Sequence, residues 1–221
     1  MNTYSRRSIL TIAGGFALLG TSAASASIIV RPGSPLYSCT AMTSTPEVKA
    51  VDSDISFEQA YLDTTTRYHA NSLLLTELAL DDVEDERLRE IAQWILDTYP
   101  QDLEDLGAMR EDLFGDAELE EATREKMMIA MGGMESCSDD SHMNFLDEKW
   151  VESTWKNHEN PQLAYASMLV LVMEMELHQH TSGEILAQDE AVHHFCMRMA
   201  EEFPPTIAAI KRVKGELLNA Y

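Results

Sequence analysis

Residues 95–106 are Ile-Leu-Asp-Thr-Tyr-Pro-Gln-Asp-Leu-Glu-Asp-Leu, and residues 199–210 are Met-Ala-Glu-Glu-Phe-Pro-Pro-Thr-Ile-Ala-Ala-Ile. The two stretches start 104 residues apart, and each places an aromatic residue before a proline inside a helical pattern. Proline inside a helix removes a backbone donor and clashes with the preceding turn. The same costly feature at matching positions indicates a duplicated helical hairpin, with two unrelated kinked helices as the alternative. Two hairpins predict a four-helix bundle with further helices between them.

Helical periodicity continues over almost the whole chain from Ser53 onward, and no convincing alternating strand pattern occurs. The predicted fold class is therefore all-α. The helical domain, 53–221, divides into a first hairpin over 53–115, connecting helices over 116–159 and a second hairpin over 160–221. The predicted helices run approximately over 56–80, 85–115, 117–131, 145–156, 160–187 and 189–219.

Residues that favour helix ends stand at several of these boundaries. Ser56 with Gln59 forms a capping-box pattern before the first helix. Gly115 follows the second helix, where a glycine commonly ends one. Pro161 suits the first turn of the long helix that begins the second hairpin.

The N-terminal segment has the sequence pattern of an export signal. Ser5-Arg6-Arg7-Ser8-Ile9-Leu10 precedes an uncharged run that ends at Ala24-Ser25-Ala26. This pattern predicts a twin-arginine signal peptide over 1–26, cleaved after Ala26, and a periplasmic protein. A general secretory signal with a basic start is the alternative. Residues 27–52 are rich in Pro, Ser and Thr and predict an extended leader.

The net charge of the chain limits which partners are expected. The formal net charge is −22, and it becomes −24 when residues 1–26 are removed. Such an excess of carboxylates repels nucleic acid and anionic lipid, so neither is an expected partner. No segment after the signal is long and apolar enough to cross a membrane.

Of the three cysteines, Cys39 and Cys137 are the favoured pair for a disulfide, and whether it forms is left open.

Histidine and methionine suggest a metal site. Met175 and His178 share an inward face of the helix that begins the second hairpin, and Glu174 and Glu176 precede His178 and His180 by four residues. His193, Cys196 and Met197 share a face of the last helix. Imidazole with thioether suits copper(I), whereas packing and surface positions are the alternative interpretation. The predicted ligands of a soft metal such as copper are His69, Met175, His178, His193 and Met197.

Motifs of known catalytic types are missing from the sequence. It has no Gly-x-Ser-x-Gly, phosphate loop, His-Glu-x-x-His or Cys-x-x-Cys. Glu190-Ala-Val-His193 is a single Glu-x-x-His, whereas a carboxylate-bridged di-iron site needs two. We therefore predict a protein that is not an enzyme.

The first hairpin contains Phe57-x-x-x-Tyr61-Leu62-Asp63, Tyr68-His69, Leu75, Leu78-Ala79-Leu80, Leu88-Arg89-Glu90-Ile91-Ala92 and Ile95. In these residues it resembles an exported bacterial family of ferritin-like four-helix proteins, largely uncharacterised, that carry Met-x-x-His-His and are often linked to copper. The resemblance covers roughly 57–113 and, less closely, 165–217, and it implies a ferritin-like bundle. Of the family motif, Thr65-Thr66-Arg67-Tyr68-His69 retains the second His, and the Gln, Glu and Met of the next helix correspond to Tyr99, Asp102 and Leu106.

Two functions follow from these patterns. The first is a periplasmic protein that binds a soft metal such as copper without catalysis. The second is a structural or interaction module whose metal site has decayed and whose acidic surface meets a protein partner. The Met and His content favours the first, and the lost family ligands favour the second.

Overall fold

The computed structural model describes residues 48–133 and 143–220. Within these ranges there are six helices and no strand, which confirms the all-α prediction. The helices are α1 (Phe57–Ala79), α2 (Glu86–Phe114), α3 (Arg124–Ala130), α4 (Glu148–Lys156), α5 (Pro161–Leu186) and α6 (Glu190–Asn219).

The predicted end signals work as expected at the long helices. Ser56 Oγ accepts a hydrogen bond from the Gln59 backbone N–H, and Asp85 and Asp189 cap α2 and α6 in the same way. Gly115 ends α2 with φ of 84°, a left-handed conformation that glycine adopts without steric cost. Local sequence therefore determines where the long helices start and stop.

The four long helices contact one another in a closed ring. α1 packs against α2 and α5, and α6 packs against α5 and α2. Pro100 and Pro204 both lie inside helices, in α2 and α6. The short helices α3 and α4 pack on α1 and α5. The interior of the ring holds large aromatic side chains, and Tyr61, Tyr99 and Phe203 are fully buried there.

Two predicted boundaries are wrong. The third helix was expected over 117–131, but it starts at Arg124 after a Thr123 cap. The segment before it is not helical because the backbone of Glu120 bonds elsewhere: its N–H donates to Asp63 Oδ1 and its carbonyl accepts from Arg67. The fourth helix was expected from Phe145, but it starts at Glu148.

A buried charge network explains why this segment follows α1. Asp63, fully buried, accepts hydrogen bonds from Arg110 Nε at 2.9 Å and Lys126 Nζ at 2.6 Å. Asp116 and Glu120 complete the pairing of these two cations. The network links α1, α2 and α3, and each of its buried charges has a partner.

Several predicted features lie outside the described residues. These are the signal peptide, the leader up to residue 47, and both Cys39 and Cys137. Of the leader, residues 48–52 are described and are not helical, and the Lys49 N–H donates to the Gly132 carbonyl. None of the helices within the described ranges has the length and apolar character needed to span a membrane.

Candidate functional site

Polar side chains meet in the interior of the ring of long helices. His69 comes from α1, Tyr99 and Asp102 from α2, and Glu176 and His180 from α5; we call these five residues the central cluster. Asp102 is 4% exposed and the other four are fully buried. Titratable groups are rarely buried so completely without pairing, so their partners require a full account.

His69 and Glu176 form the closest polar contact within the cluster. His69 Nδ1 lies 2.5 Å from Glu176 Oε1. Oε1 of Glu176 is thus paired with His69, whereas Oε2 accepts no hydrogen bond from the described residues. A buried carboxylate oxygen without a hydrogen bond is costly. By contrast, both oxygens of the buried Asp63 accept hydrogen bonds.

Both imidazoles are held through Nδ1. Tyr61 Oη lies 2.8 Å from His180 Nδ1, in hydrogen-bond contact, while Glu176 contacts Nδ1 of His69. The His69 ring also stacks on Tyr99, with ring centroids 4.3 Å apart. Among the described residues, neither Nε2 atom has a hydrogen-bond partner. Histidines that bind metals commonly have one nitrogen fixed by a carboxylate or another polar group while the other binds the ion.

Asp102 connects the interior to the protein surface. Its Oδ1 accepts a hydrogen bond from Arg198 Nη2 at 2.7 Å, and Arg198 is part-exposed. Its Oδ2 has no hydrogen-bond partner in the described chain and lies 3.9 Å from His69 Nε2. Two unpartnered donor atoms therefore face each other across this gap. Two metal–ligand bonds of about 2.0–2.2 Å can span such a distance.

The interior environment shifts the titration of the cluster. Burial raises the pKa of Glu176, and the neighbouring Asp102 raises it further, while His69 opposes the shift. Burial lowers the pKa of His180, and His69 and Arg198 lower it further. Burial also raises the pKa of Tyr99 well above its ordinary value. At neutral pH these shifts keep His180 and Tyr99 neutral, so the Nε2 of His180 has no proton in one of its two tautomers.

The structure places the five predicted ligands in different environments. His69 is fully buried and Met175 is 2% exposed. His178 and His193 are half-buried, and Met197 is 41% exposed. Of the five, only His69 belongs to the central cluster.

Cys196 lies beside the predicted ligands of α6 and is buried. This burial raises the pKa of its thiol to about 12. A thiol with that pKa is protonated at neutral pH and is a poor metal ligand. The two soft donors that share a face with His193 on α6 are thus a protonated thiol, Cys196, and an exposed thioether, Met197.

Across the described residues, no three His, Cys, Asp or Glu side chains are already gathered in positions to hold one metal ion. Binding at the central cluster therefore requires side-chain movement beyond the His69 and Asp102 pair. The donor atoms themselves, imidazole nitrogen and carboxylate oxygen, fit divalent first-row metals such as Cu²⁺, Zn²⁺ and Mn²⁺.

Sequence reasoning missed three members of the cluster as ligand candidates. His180 and Glu176 are four residues apart on α5, a spacing that places both on one helix face. That spacing, taken together with His69, is the signal in the sequence that could have pointed to the central cluster.

Comparison with known proteins found no matching family model, no matching curated protein and no matching solved structure.

Proposed function

We propose that this protein binds one divalent transition-metal ion at the central cluster, without catalytic turnover. The observation that carries the proposal is the set of buried donor atoms without hydrogen bonds: Oε2 of Glu176, Oδ2 of Asp102 and Nε2 of His69 and His180. Leaving these atoms unsatisfied is unfavourable for the folded protein alone. A bound cation would satisfy several of them at once.

The proposed ligand set differs from the soft site expected from the sequence. His69 and Asp102 would be the first two ligands because their unpartnered atoms already face each other. Glu176 and His180 would supply further donors after a small side-chain movement. Nitrogen and oxygen donors suit Cu²⁺ better than Cu⁺, and Cu²⁺ binds such sites most strongly among divalent first-row ions. Copper thus remains the first candidate, in its oxidised form.

The proposal includes a fold and a location. The ring of four long helices supports a four-helix bundle made of two related hairpins, of the ferritin-like type that the sequence resembles. The Ser-Arg-Arg-x-Ile-Leu motif supports export by the twin-arginine route, which carries folded proteins.

The acidic surface would raise the local concentration of cations. Because the cluster is buried, a large substrate would not reach it.

A structural or protein-interaction module is the second candidate function. It is favoured by the lack of any three ligand side chains already gathered within the described ranges. In that case the contact of His69 with Glu176 is an internal pair that only helps to position α1 against α5.

Calorimetric titration of the mature protein with Cu²⁺ tests the proposal. We expect one tight site in the parent and a loss of affinity of at least about tenfold in Asp102→Asn, a typical effect of removing one ligand or its support. Glu176→Gln is the second variant, because it keeps the shape of the side chain and removes its charge. His194→Gln is the matched control, since His194 is exposed on α6.

The soft site is tested in the same experiment. His193→Gln and Met197→Leu remove ligands of the site predicted from sequence, and the proposal expects both variants to bind Cu²⁺ like the parent. A parent that binds no metal would favour the interaction module. Loss of binding only in the His193 and Met197 variants would show that the ion binds near the surface of α6 instead.

A further inference from the structure

Arg198 lies over the outer end of the central cluster. Its guanidinium donates to Asp102 Oδ1 at 2.7 Å and lies 4.8 Å from the ring centre of Phe195. The Phe195 ring in turn lies 6.1 Å from the His69 ring. Arg198 is part-exposed, whereas the side chains beneath it are buried. It is thus the positively charged cover above a polar interior.

Carboxylates continue from the surface to the interior beneath this cover. Glu202, one turn after Arg198 on α6, is part-exposed. Asp102 comes next, and Glu176 lies inside the ring. Each carboxylate of this series, where it is ionised, attracts a cation.

The guanidinium and an incoming metal ion would share one carboxylate, with Arg198 on Oδ1 and the ion on Oδ2, and their positive charges would repel each other. Arg198 neutralises Asp102 in the metal-free protein, because a buried carboxylate without a counter-ion is unfavourable. A metal ion that binds Asp102 supplies that positive charge itself. Arg198 Nη1 already lies 3.9 Å from Glu202 Oε2, so Glu202 is a second partner when Asp102 is taken.

We propose that Arg198 is a displaceable plug on the route by which a divalent cation reaches the central cluster, between α2 and α6. The inference rests on the proposed metal binding and adds its regulation. The cation first meets Glu202, then displaces the Arg198 guanidinium from Asp102, and then reaches His69. The guanidinium pairs with Glu202 after it leaves Asp102. The rate of uptake is therefore limited by breaking the ion pair between Arg198 and Asp102.

Stopped-flow mixing of the full mature protein with Cu²⁺ tests the plug, with the visible absorption of bound Cu²⁺ as the signal. We expect Arg198→Met to take up Cu²⁺ about tenfold faster than the parent, because a positive charge no longer opposes the ion at the mouth of the route. Methionine keeps the apolar contact with Phe195. We expect Glu202→Gln to take up Cu²⁺ more slowly than the parent.

Arg212→Met is the matched control, because it removes the same charge from an exposed position on the same helix. Its uptake rate should stay within about twofold of the parent, which separates a local plug from a change in overall charge. Equal rates in Arg198→Met and Arg212→Met, with equilibrium binding intact, would overturn the plug alone. Absence of equilibrium binding in the parent would overturn the proposed function and the plug together.

Discussion

The packing of α5 against α6 near the central cluster leads to a quantitative prediction for Gly183→Ala. Gly183 lies on α5, and a methyl group added there would overlap the Sγ atom of Cys196 and lie 3.0 Å from its Cβ. Cys196 is fully buried, so its side chain has little space into which to move. Alanine in a helix is favoured over glycine by about 1 kcal/mol. Overpacking of a core typically costs about 1–3 kcal/mol, so we expect Gly183→Ala to destabilise the protein by up to about 2 kcal/mol net.

Glycines elsewhere in the long helices provide the control. Gly107 on α2 and Gly215 on α6 have no atom within 4 Å of an added Cβ. We expect alanine at either position to stabilise the protein by about 0.5–1 kcal/mol through helix propensity alone. The opposite sign at Gly183 then isolates the steric effect, because all three substitutions make the same chemical change.

Urea unfolding followed by circular dichroism measures these free energies, and a double-mutant cycle assigns their origin. In a Cys196→Ala background the overlap with Sγ is gone, so we expect Gly183→Ala to cost at least about 1 kcal/mol less than in the parent. The reasoning is refuted if Gly183→Ala stabilises the parent as much as Gly107→Ala does. It is also refuted if the cost is the same with and without the Cys196 sulfur.

Three further predictions follow from buried charge and from the export motif. Asp63→Asn should lower the free energy of unfolding by about 3–5 kcal/mol in urea titrations, because two buried cations lose their common counter-ion. Burial raises the pKa of Glu176 above its ordinary 4.5, so the folded parent loses stability as pH rises from 4.5 toward the raised value. Glu176→Gln removes this loss. The free energy of unfolding of Glu176→Gln, relative to that of the parent, should therefore rise between pH 4.5 and the raised pKa. The rise is about 1.4 kcal/mol for each unit by which the pKa of Glu176 differs between the folded and the unfolded protein. Replacing Arg6 and Arg7 with lysine should leave unprocessed precursor in the cytoplasm, as seen by cell fractionation.

Each of these has a control and a contradicting result. Asp116→Asn also removes a carboxylate that pairs with Arg110, but Asp116 is exposed, so we expect a cost within about 1 kcal/mol. If Asp63→Asn costs no more than Asp116→Asn, burial of the charge network does not contribute to stability as proposed. Glu216→Gln, at an exposed position, should show no comparable pH trend relative to the parent. Normal export of the double lysine variant would indicate the general secretory route.

The long helices could be predicted because their end signals are local. Ser56, Asp85 and Asp189 act on backbone groups two or three residues away, so the sequence alone is sufficient to locate them. The start of the third helix could not be predicted in this way. The contacts of Glu120 with α1 depend on residues more than fifty positions earlier in the chain, and they replace helical hydrogen bonds that local propensity favours.

The candidate site was only partly predictable for a related reason. α5 is apolar over most of its surface, so hydrophobic periodicity does not distinguish its inward face clearly. The spacing of methionines led to His178, whereas the structure buries His180 fully and leaves His178 half-buried. The contact of Asp102 with Arg198 depends on how α2 packs against α6, which no local pattern encodes.

The most direct test of the account is anomalous X-ray diffraction from crystals of the mature protein grown with one equivalent of Cu²⁺. The account predicts a single strong copper peak between His69 Nε2 and Asp102 Oδ2, with metal–ligand distances of about 2.0–2.2 Å. It also predicts that the Arg198 guanidinium has moved away from Asp102. A copper peak at His193 or Met197 with the central cluster unchanged would contradict the account, as would crystals without any ordered copper.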